Sequence, residues 1–443
     1  MKRILTIAGS DSGGGAGIQA DLKTITLLGG FGMSVLTALT AQNTVGVAAI
    51  HPVPQAFIAQ QLDTVLSDIG ADAVKTGMLY DAGIIEVIAD RLAAYRMEKL
   101  VVDPVMVAKG GDVLLLQDAR TALVGRLLPM AYVVTPNIPE AEVLSGKSIR
   151  TDDDIHEAVR TIHAMGPRYV LVKGGHLEGP AADYLYDGKD LLTFSGVRIH
   201  TPHTHGTGCV YSAAIATYLA MGLEIKEAVA SAKALIQTSI KFGLALGKGH
   251  GPANVYASFG RERERFHVIE ALHTALSRLQ EYPAGNLVPE VQSNLGYALS
   301  LAETHEDVAA FPGRLVRLGK RIVSVAAPAF GASSHIATII LTAMRHDPQF
   351  RSAMNIRFSE KLIVQCQALG WKVASFDRTE EPEAIKQQEG GSLEWGTETV
   401  LSKETKIPDV IFDRGDVGKE PMIRVLGRNP EEVVGKVLQL RSL

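Results

Sequence analysis

Cysteine is nearly absent from this chain: two occur in 443 residues, Cys209 and Cys366, far apart in the sequence. A disulfide framework is excluded, and a reducing cytoplasm is the expected compartment. An excess of charge of either sign is missing as well, with 44 Lys and Arg against 48 Asp and Glu, a formal net charge of -4. Nucleic-acid binding needs a basic face that neutralises phosphates, so no nucleic-acid partner is expected. There is no apolar run of about 18 residues, which leaves no candidate for a membrane-spanning helix and no expected membrane partner. The run Ile4–Ala8 behind Lys2 and Arg3 stops at Gly9-Ser10-Asp11, too short for a signal-peptide core. Internal repeats and low-complexity tracts are lacking too. What remains is a globular chain long enough for two domains.

Glycine, by contrast, is abundant at 43 residues, as suits many tight strand-to-helix turns. Short apolar or β-branched runs predict strands at Ile4–Ala8, Met33–Ala38, Ala73–Thr76, Leu100–Val102, Tyr132–Thr135 and Tyr169–Val172. Between them, apolar residues recurring at three and four predict helices at Gln19–Leu28, Gln55–Ile69, Ala82–Tyr95 and Asp153–Met165. Further helices are expected at Val210–Leu219 and Glu227–Ala245. Strands alternating with helices imply an α/β fold, a mainly parallel sheet covered on both faces, with ligands beyond the carboxyl ends of the strands. Gly247-Lys-Gly-His-Gly-Pro252 reads as a domain closure, and Arg261-Glu-Arg-Glu-Arg265 opens an amphipathic helix through Leu279. The predicted domains are 1–258 and 262–443.

Gly9-Ser-Asp-Ser-Gly-Gly-Gly-Ala-Gly17 follows the first strand and opens the first helix, where glycines let backbone approach a ligand and the helix start favours anions. Gly15-x-Gly17-x-x-Ala20 imitates a dinucleotide fingerprint, but that reading needs an acidic residue some 20 positions on. From Leu22 to Leu62 there is none. Gly146-Lys147-Ser148 imitates a phosphate-binding loop of the Walker type, yet its first glycine would fall at Ala141. His200-x-x-His203-x-His205-x-x-x-Cys209 imitates a zinc cluster with a spacing that fits no common zinc module.

The last of these residues carry a different chemistry. Gly206, Thr207 and Gly208 lead into an apolar helix, and backbone N–H groups left free before a helix form an anion hole. Cys209 on the first turn is expected to have a lowered thiol pKa and to act as general base toward an alcohol. Lys173, behind its strand and before Gly174-Gly175, brings an ammonium to the same sheet edge. Asp103 and Asn137-x-x-Glu140 also follow strands and supply hard oxygen ligands suited to Mg²⁺. A base, a cation and metal ligands on four strand ends are the parts of phosphoryl transfer from ATP.

Gly9–Asp21, Lys75-Thr-Gly-Met78, Asp103–Val107, Thr135-Pro-Asn-Ile-Pro-Glu140, Val172-Lys-Gly-Gly175 and His203–Cys209 together resemble the hydroxymethylpyrimidine/phosphomethylpyrimidine kinases, thiamin-pathway enzymes of the ribokinase-like fold. The resemblance covers residues 1–258. It implies two successive phosphorylations of 4-amino-5-hydroxymethyl-2-methylpyrimidine and, as this kinase class suggests, a homodimer. It also implies that Gln42 and the Gly9 backbone read the pyrimidine edge with Asp21 and Met78 nearby. Asp103, Asn137 and Glu140 would serve Mg²⁺, Lys173 the phosphates, and Cys209 the acceptor alcohol. Most of the wider superfamily carries Asp at the base position, so Cys209 points to this branch. One departure is Ala108-Lys109-Gly110-Gly111, where relatives show a small polar residue in place of Lys109. A pyridoxine-type vitamin kinase of the same superfamily is the nearest rival.

Residues 262–443 hold no nucleotide motif but set arginines among glycine, serine and asparagine in turns, a pattern suited to phosphate groups. Ala310-Phe-Pro-Gly-Arg314 with Arg317 and Arg321, Phe330-Gly-Ala-Ser-Ser-His335 before the helix Ile336–Met344, Arg351-Ser-Ala-Met-Asn355 and Asp413-Arg-Gly-Asp-Val-Gly-Lys-Glu420 carry it. These blocks resemble the ThiN-type thiamin-phosphate synthase domain. The resemblance implies joining of the pyrimidine diphosphate to thiazole phosphate with release of pyrophosphate. Arg314 and His335 are the expected catalytic residues, with Ser333, Ser334, Asn355, Asp413 and Lys419 binding substrate. The alternative is a domain that senses thiamin phosphate without making it.

Overall fold

All six predicted strands form, and those in the middle of the sheet are buried on both sides because their residues alternate between two cores. Leu5, Ile7, Val74, Val102, Val134, Val170 and Val172 point into one, while Ile4, Ala73, Val101, Val133 and Leu171 point into the other. The strand over Met33–Ala38 differs, giving Met33 and Val35 to one core and half-buried Ser34 and Leu36 to its other side. The structure is a computed structural model that describes residues 1–106, 114–116, 118–175, 181–386 and 391–441. Val107 and the Ala108–Gly111 departure lie outside the described residues. Two compact units are present, Met1–Phe259 and Gly260–Leu443.

The strands of the first unit are β1 (Arg3–Asp11), β2 (Phe31–Gln42), β3 (Val47–Pro52), β4 (Ala73–Thr76), β5 (Leu100–Val102), β6 (Val133–Val134), β7 (Tyr169–Lys173), β8 (Asp183–Tyr186) and β9 (Leu191–Phe194). They lie in the order β3-β2-β1-β4-β5-β6-β7-β8-β9. The centre from β2 to β7 is parallel, and β3, β8 and β9 add antiparallel edges. Sequence order reverses beside β1, so the loops after β1 and β4 part there and leave a crevice at the carboxyl edge.

The helices are α1 (Gly17–Leu27), α2 (Gln55–Asp68), α3 (Ala82–Ala94), α4 (Ala119–Ala122), α5 (Ile138–Ser145), α6 (Asp152–His163), α7 (Thr207–Met221) and α8 (Ile225–Lys241). Residues of α2 to α6 pack on one face, among them Ile58, Ile84, Ala119, Ile138 and Ile155. Residues of α1, α7 and α8 cover the other, among them Ile25, Val210, Ala214 and Val229. Helix α7 is apolar all round because it is buried all round, the expected reading of such a pattern.

The second unit has its own sheet, with β10 (Leu295–Ala298), β11 (Val308–Ala310), β12 (Leu315–Leu318), β13 (Arg321–Ser324), β14 (Ala329–Phe330), β15 (Ser352–Arg357), β16 (Val373–Ser375), β17 (Val410–Asp413) and β18 (Met422–Gly427). The sheet order is β14-β11-β10-β15-β18-β17-β16, with β12 and β13 as a separate hairpin. Only the β16–β17 pair is parallel among these strands. Its helices are α9 (Tyr256–Gln280), α10 (Ser334–His346), α11 (Glu360–Ala368), α12 (Glu383–Lys386), α13 (Gly391–Leu401) and α14 (Pro430–Gln439). Helix α9 begins before the charged run expected to open it, and the two units part within it, at Phe259 and Gly260.

Candidate active site

At the carboxyl edge of the first sheet lies a cavity of about 800 Å³, lined by Gly9, Gln42, Met78, Asp103, Asn137, Glu140, Lys173 and the segment Gly206–Cys209. The strands bring these residues together from positions up to two hundred apart in the chain.

At one end, β1 and β2 supply the backbone. A Cβ on Gly9 would stand 3.0 Å from Met78 Sδ, so glycine lets the main chain itself face the cavity beside that thioether. The Thr40 hydroxyl lies 2.7 Å from the Ser10 carbonyl and 3.1 Å from Gln42 Oε1, which fixes the Gln42 amide. Asp21 does not join this group. It is fully buried below the floor, where its carboxylate accepts from the Lys75 ammonium at 2.8 and 3.0 Å and from Thr6 Oγ1 at 2.6 Å. Its side chain faces into the fold because α1 lies against β1, so the expected pyrimidine contact is replaced by a structural ion pair.

At the other end, α7 starts at Gly206, whose φ of 76° is left-handed, and no side chain caps the helix. Its first turn lines the cavity, where the Thr207 N–H makes only a long 3.4 Å bond to the Thr204 carbonyl. The next N–H groups precede the intrahelical ladder, which the Val210 N–H begins on the Gly206 carbonyl. A Cβ on Gly208 would sit 3.4 Å from Asp103 Oδ2 and 3.5 Å from Lys173 Nζ, so helix start, carboxylate and ammonium converge. Lys173 Nζ donates to Asp103 Oδ1 at 2.9 Å, and the Ser212 hydroxyl donates to Asp103 Oδ2 at 3.2 Å. Burial pushes the Asp103 carboxyl up, but the Lys173 and Lys75 ammonium groups outweigh it and hold the group below the usual range.

Asn137 and Glu140 form a capping box on α5: Asn137 Oδ1 accepts the Glu140 N–H and Glu140 Oε2 accepts the Asn137 N–H, each at 2.9 Å. Burial raises the Glu140 carboxyl to about 7, Lys173 opposing and Asp103 adding to it. Lys173 is ion-paired to Asp103, and the raised Glu140 carboxyl beside them is short of positive charge, which a divalent cation fits. Among the described residues no group of three or more His, Cys, Asp and Glu stands ready to hold an ion. Mg²⁺ is commonly held by one or two carboxylates and completes its shell with phosphate oxygens and water, so the donor set suits it.

The expected lowering of the Cys209 thiol pKa is corrected. Burial lifts its thiol to about 11, while the Lys75 ammonium and the Gly17 N–H pull it down less strongly. Desolvation of the thiolate outweighs the helix start at this half-buried position.

Two groups were missed in the sequence. His205 Nε2–H donates to Asp11 Oδ2 at 2.9 Å across the cavity mouth. The reading that weighed His205 as a zinc ligand had no signal for Asp11, 194 positions away. Asp183 on β8 accepts from Tyr211 Oη at 2.9 Å, Lys233 Nζ at 2.7 Å and the Gly174 N–H at 3.1 Å, fixing the turn after Lys173. Its strand was itself unforeseen.

In the second unit the expected residues fall into three groups. Arg314, exposed and left-handed at φ 67°, donates to the Val291 carbonyl, and Asn355 Nδ2 donates to the Gln292 carbonyl at 2.9 Å. Ser333, Ser334 and His335 stand at the start of α10, where the Ser333 side chain makes no capping bond. Asp413 is fully buried between Arg378 (2.6 Å) and Arg424 (2.7 Å), and Lys419 donates to Ser392 Oγ at 2.8 Å. Asp413 is a buried counter-charge, not an exposed substrate contact, and the two arginines it holds were not singled out in the sequence. Burial raises Asp413 but Arg424 and Arg378 hold it below the usual carboxylate range.

A two-faced, mainly parallel sheet with an anion-binding helix start, a lysine and carboxylates at its carboxyl edge defines a small-molecule kinase of the ribokinase-like class. Comparison with known proteins agrees. The phosphomethylpyrimidine kinase family model matches residues 11–254, and that of the thiamine-phosphate synthase ThiN matches residues 271–439. The chain belongs to the phosphomethylpyrimidine kinase family, with a ThiN-type unit behind the kinase. It is 58% identical over 252 residues to the thiamine biosynthesis bifunctional protein ThiED of Geobacter sulfurreducens, covering 57% of this chain and 51% of that protein. It is 49% identical to the hydroxymethylpyrimidine/phosphomethylpyrimidine kinase of Haemophilus influenzae, covering 58% of this chain and 97% of that one. Among solved structures, an ADP complex of Bacillus subtilis pyridoxal kinase superposes with a TM-score of 0.56 at 43% identity, covering 58% of this chain and 99% of that one. In the described residues no helix is long and apolar enough to cross a membrane.

Proposed function

We propose that the first unit phosphorylates 4-amino-5-hydroxymethyl-2-methylpyrimidine twice with ATP, and that the second joins the diphosphate to thiazole phosphate, giving thiamin phosphate and pyrophosphate. The observation that carries the kinase half is the convergence of the open α7 start, Lys173 and Cys209 on one cavity. The pyrimidine rests against Gly9, Gln42 and Met78, with its hydroxymethyl group toward Cys209. Cys209 takes the alcohol proton as its thiolate, the minor form of a thiol near 11 in the ligand-free cavity, and becomes the neutral thiol as the oxygen attacks. Lys173 with the N–H groups of Gly206–Gly208 holds the moving phosphoryl group. In the second transfer the acceptor is a phosphate oxygen that is already anionic near neutral pH, so it needs no base. Asp103 and Glu140, with Asn137 beside them, would hold Mg²⁺, which supplies charge neutralisation between the phosphates.

For the second unit, departure of pyrophosphate from the pyrimidine methylene needs cations and donors at the leaving group. Arg314 and His335 take that role, with Ser333, Ser334 and the α10 start binding phosphate and Lys419 and Asn355 as further substrate contacts. Asp413 keeps Arg378 and Arg424 in place. A homodimer is the expected assembly of the kinase.

The test is incubation of the protein with hydroxymethylpyrimidine, thiazole phosphate, ATP and Mg²⁺, with detection of thiamin phosphate by mass. Pyrimidine diphosphate that accumulates without thiamin phosphate would reject the synthase and leave the kinase. Pyridoxal belongs in the same assay as a competing acceptor, because the similarity to a pyridoxal kinase favours a side activity of that kind.

A further inference from the structure

The two glycine segments of the kinase cavity touch through their backbones. A Cβ on Gly206 would stand 1.8 Å from the Gly15 carbonyl oxygen, and one on Gly15 would stand 2.5 Å from His205 Cδ2. No side chain at either position fits between them. Across this contact runs one polar joint. The Asp11 carboxylate accepts four N–H groups: Gly13 at 2.8 Å on Oδ1, and Gly15 at 3.0 Å, Ala16 at 2.8 Å and His205 Nε2 at 2.9 Å on Oδ2. The His205 main chain is fixed in turn to the segment after α8, donating to the Gly251 carbonyl and accepting from the Ala253 N–H, each at 3.0 Å. Asp11 is 2% exposed, so its charge has no solvent to fall back on and is held by this set of donors.

The joint connects two halves of the reaction. Asp11 ends β1, two residues beyond Gly9 on the acceptor side. His205 immediately precedes Gly206–Cys209 on the phosphoryl side. We propose that His205 is a positioning residue for phosphoryl transfer: through Asp11 it locks the acceptor-side glycine loop to the anion-binding loop, and so sets the distance between acceptor oxygen, base and phosphoryl group. The proposal rests on the kinase reading above. His205 itself touches neither reacting atom in this role. The competing account is a joint that only stabilises the fold.

Transfer geometry is sensitive to displacements of about 1 Å, which cost on the order of 10²-fold in rate. His205→Ala is therefore expected to lower kcat for hydroxymethylpyrimidine phosphorylation roughly 10- to 100-fold with KM for ATP little changed. His205→Gln, whose amide N–H reaches the Nε2 position, should recover most of the loss. Asp11→Asn should be as slow as His205→Ala, and the double variant no slower than either, because both remove one joint. Hydrogen exchange of the Gly13, Gly15 and Ala16 amides should rise in His205→Ala and stay near wild type in His205→Gln. Full kcat in His205→Ala despite faster exchange would overturn the positioning role in favour of stability alone. Additive losses in the double variant, or unchanged exchange, would overturn the joint itself. A wild-type protein that phosphorylates no hydroxymethylpyrimidine overturns the kinase reading and the catalytic part of this proposal, while exchange still decides whether the two loops are locked.

Discussion

At the scale of single residues, the cavity separates roles that its sequence motifs run together. In the proposed mechanism Cys209 is needed where an alcohol must lose a proton and dispensable where the acceptor is already an anion. Cys209→Ala should therefore lower the first phosphorylation by about 10²–10⁴-fold and the second much less. Separate assays from hydroxymethylpyrimidine and from its monophosphate read this, and equal losses in both would remove the base assignment. Glu140 offers a test in pH. Its folded-state pKa of about 7 lies above its ordinary 4.5, so the folded protein binds the extra proton between those values. Stability from this group is fully present below the unfolded value and lost as pH rises through 7. The ligand-free wild type should lose Tm relative to Glu140→Gln between about pH 4.5 and 7, since glutamine keeps the capping acceptor without the charge. A constant Tm difference across that window would count against the buried carboxyl. The same variant should need more Mg²⁺ for activity, and overlapping magnesium titrations would reject it as a ligand. Which residues gather was largely legible in the sequence, because Gly9, Asp103, Asn137 and Lys173 each follow a predicted strand and Gly206–Cys209 shows its glycines before an apolar helix. Which way Asp21 and Asp413 face was not: an aspartate reads the same whether it meets a substrate or a buried lysine or arginine.

At the scale of elements, local signals were reliable wherever one segment satisfied its own ends. Helix α6 carries Thr151 and Asp154 in a capping box, three acidic residues in its first turn, and Arg160 and His163 in its last. Thr151→Ala should lower the unfolding free energy by about 1 kcal/mol, read by urea denaturation, with kcat unchanged. No loss of stability would mean the box contributes nothing beyond its geometry. The central strands were legible because burial on both faces makes them continuous apolar runs. Strands β3, β8 and β9 were not: β3 and β9 are short edges with exposed residues such as Ala48, Ala49 and Thr193. Strand β8 is a buried run of only four residues, Asp183–Tyr186, with two tyrosines and an aspartate in place of an aliphatic pattern. The start of α9 was missed for a related reason, since Tyr256–Phe259 lies apart from the charged pattern that announced the helix.

At the scale of the molecule, two units with separate sheets imply separable chemistry. A fragment of residues 1–258 should retain pyrimidine phosphorylation, and one of residues 262–443 should make thiamin phosphate from supplied pyrimidine diphosphate and thiazole phosphate without ATP. In the full chain, Arg314→Ala or His335→Ala should abolish joining and leave phosphorylation intact. A C-terminal fragment that folds and binds thiamin phosphate tightly yet makes none would identify a sensor.

The high pKa of the Cys209 thiol has a consequence beyond catalysis. Peroxides and alkylating agents attack the thiolate, and at pH 7 a group near 11 is ionised only about one part in ten thousand. The residue on which the proposed first transfer depends is thereby sheltered from oxidative damage by its low ionisation. An aspartate base would need no such shelter; with sulfur in its place, the burial that weakens the base also preserves it.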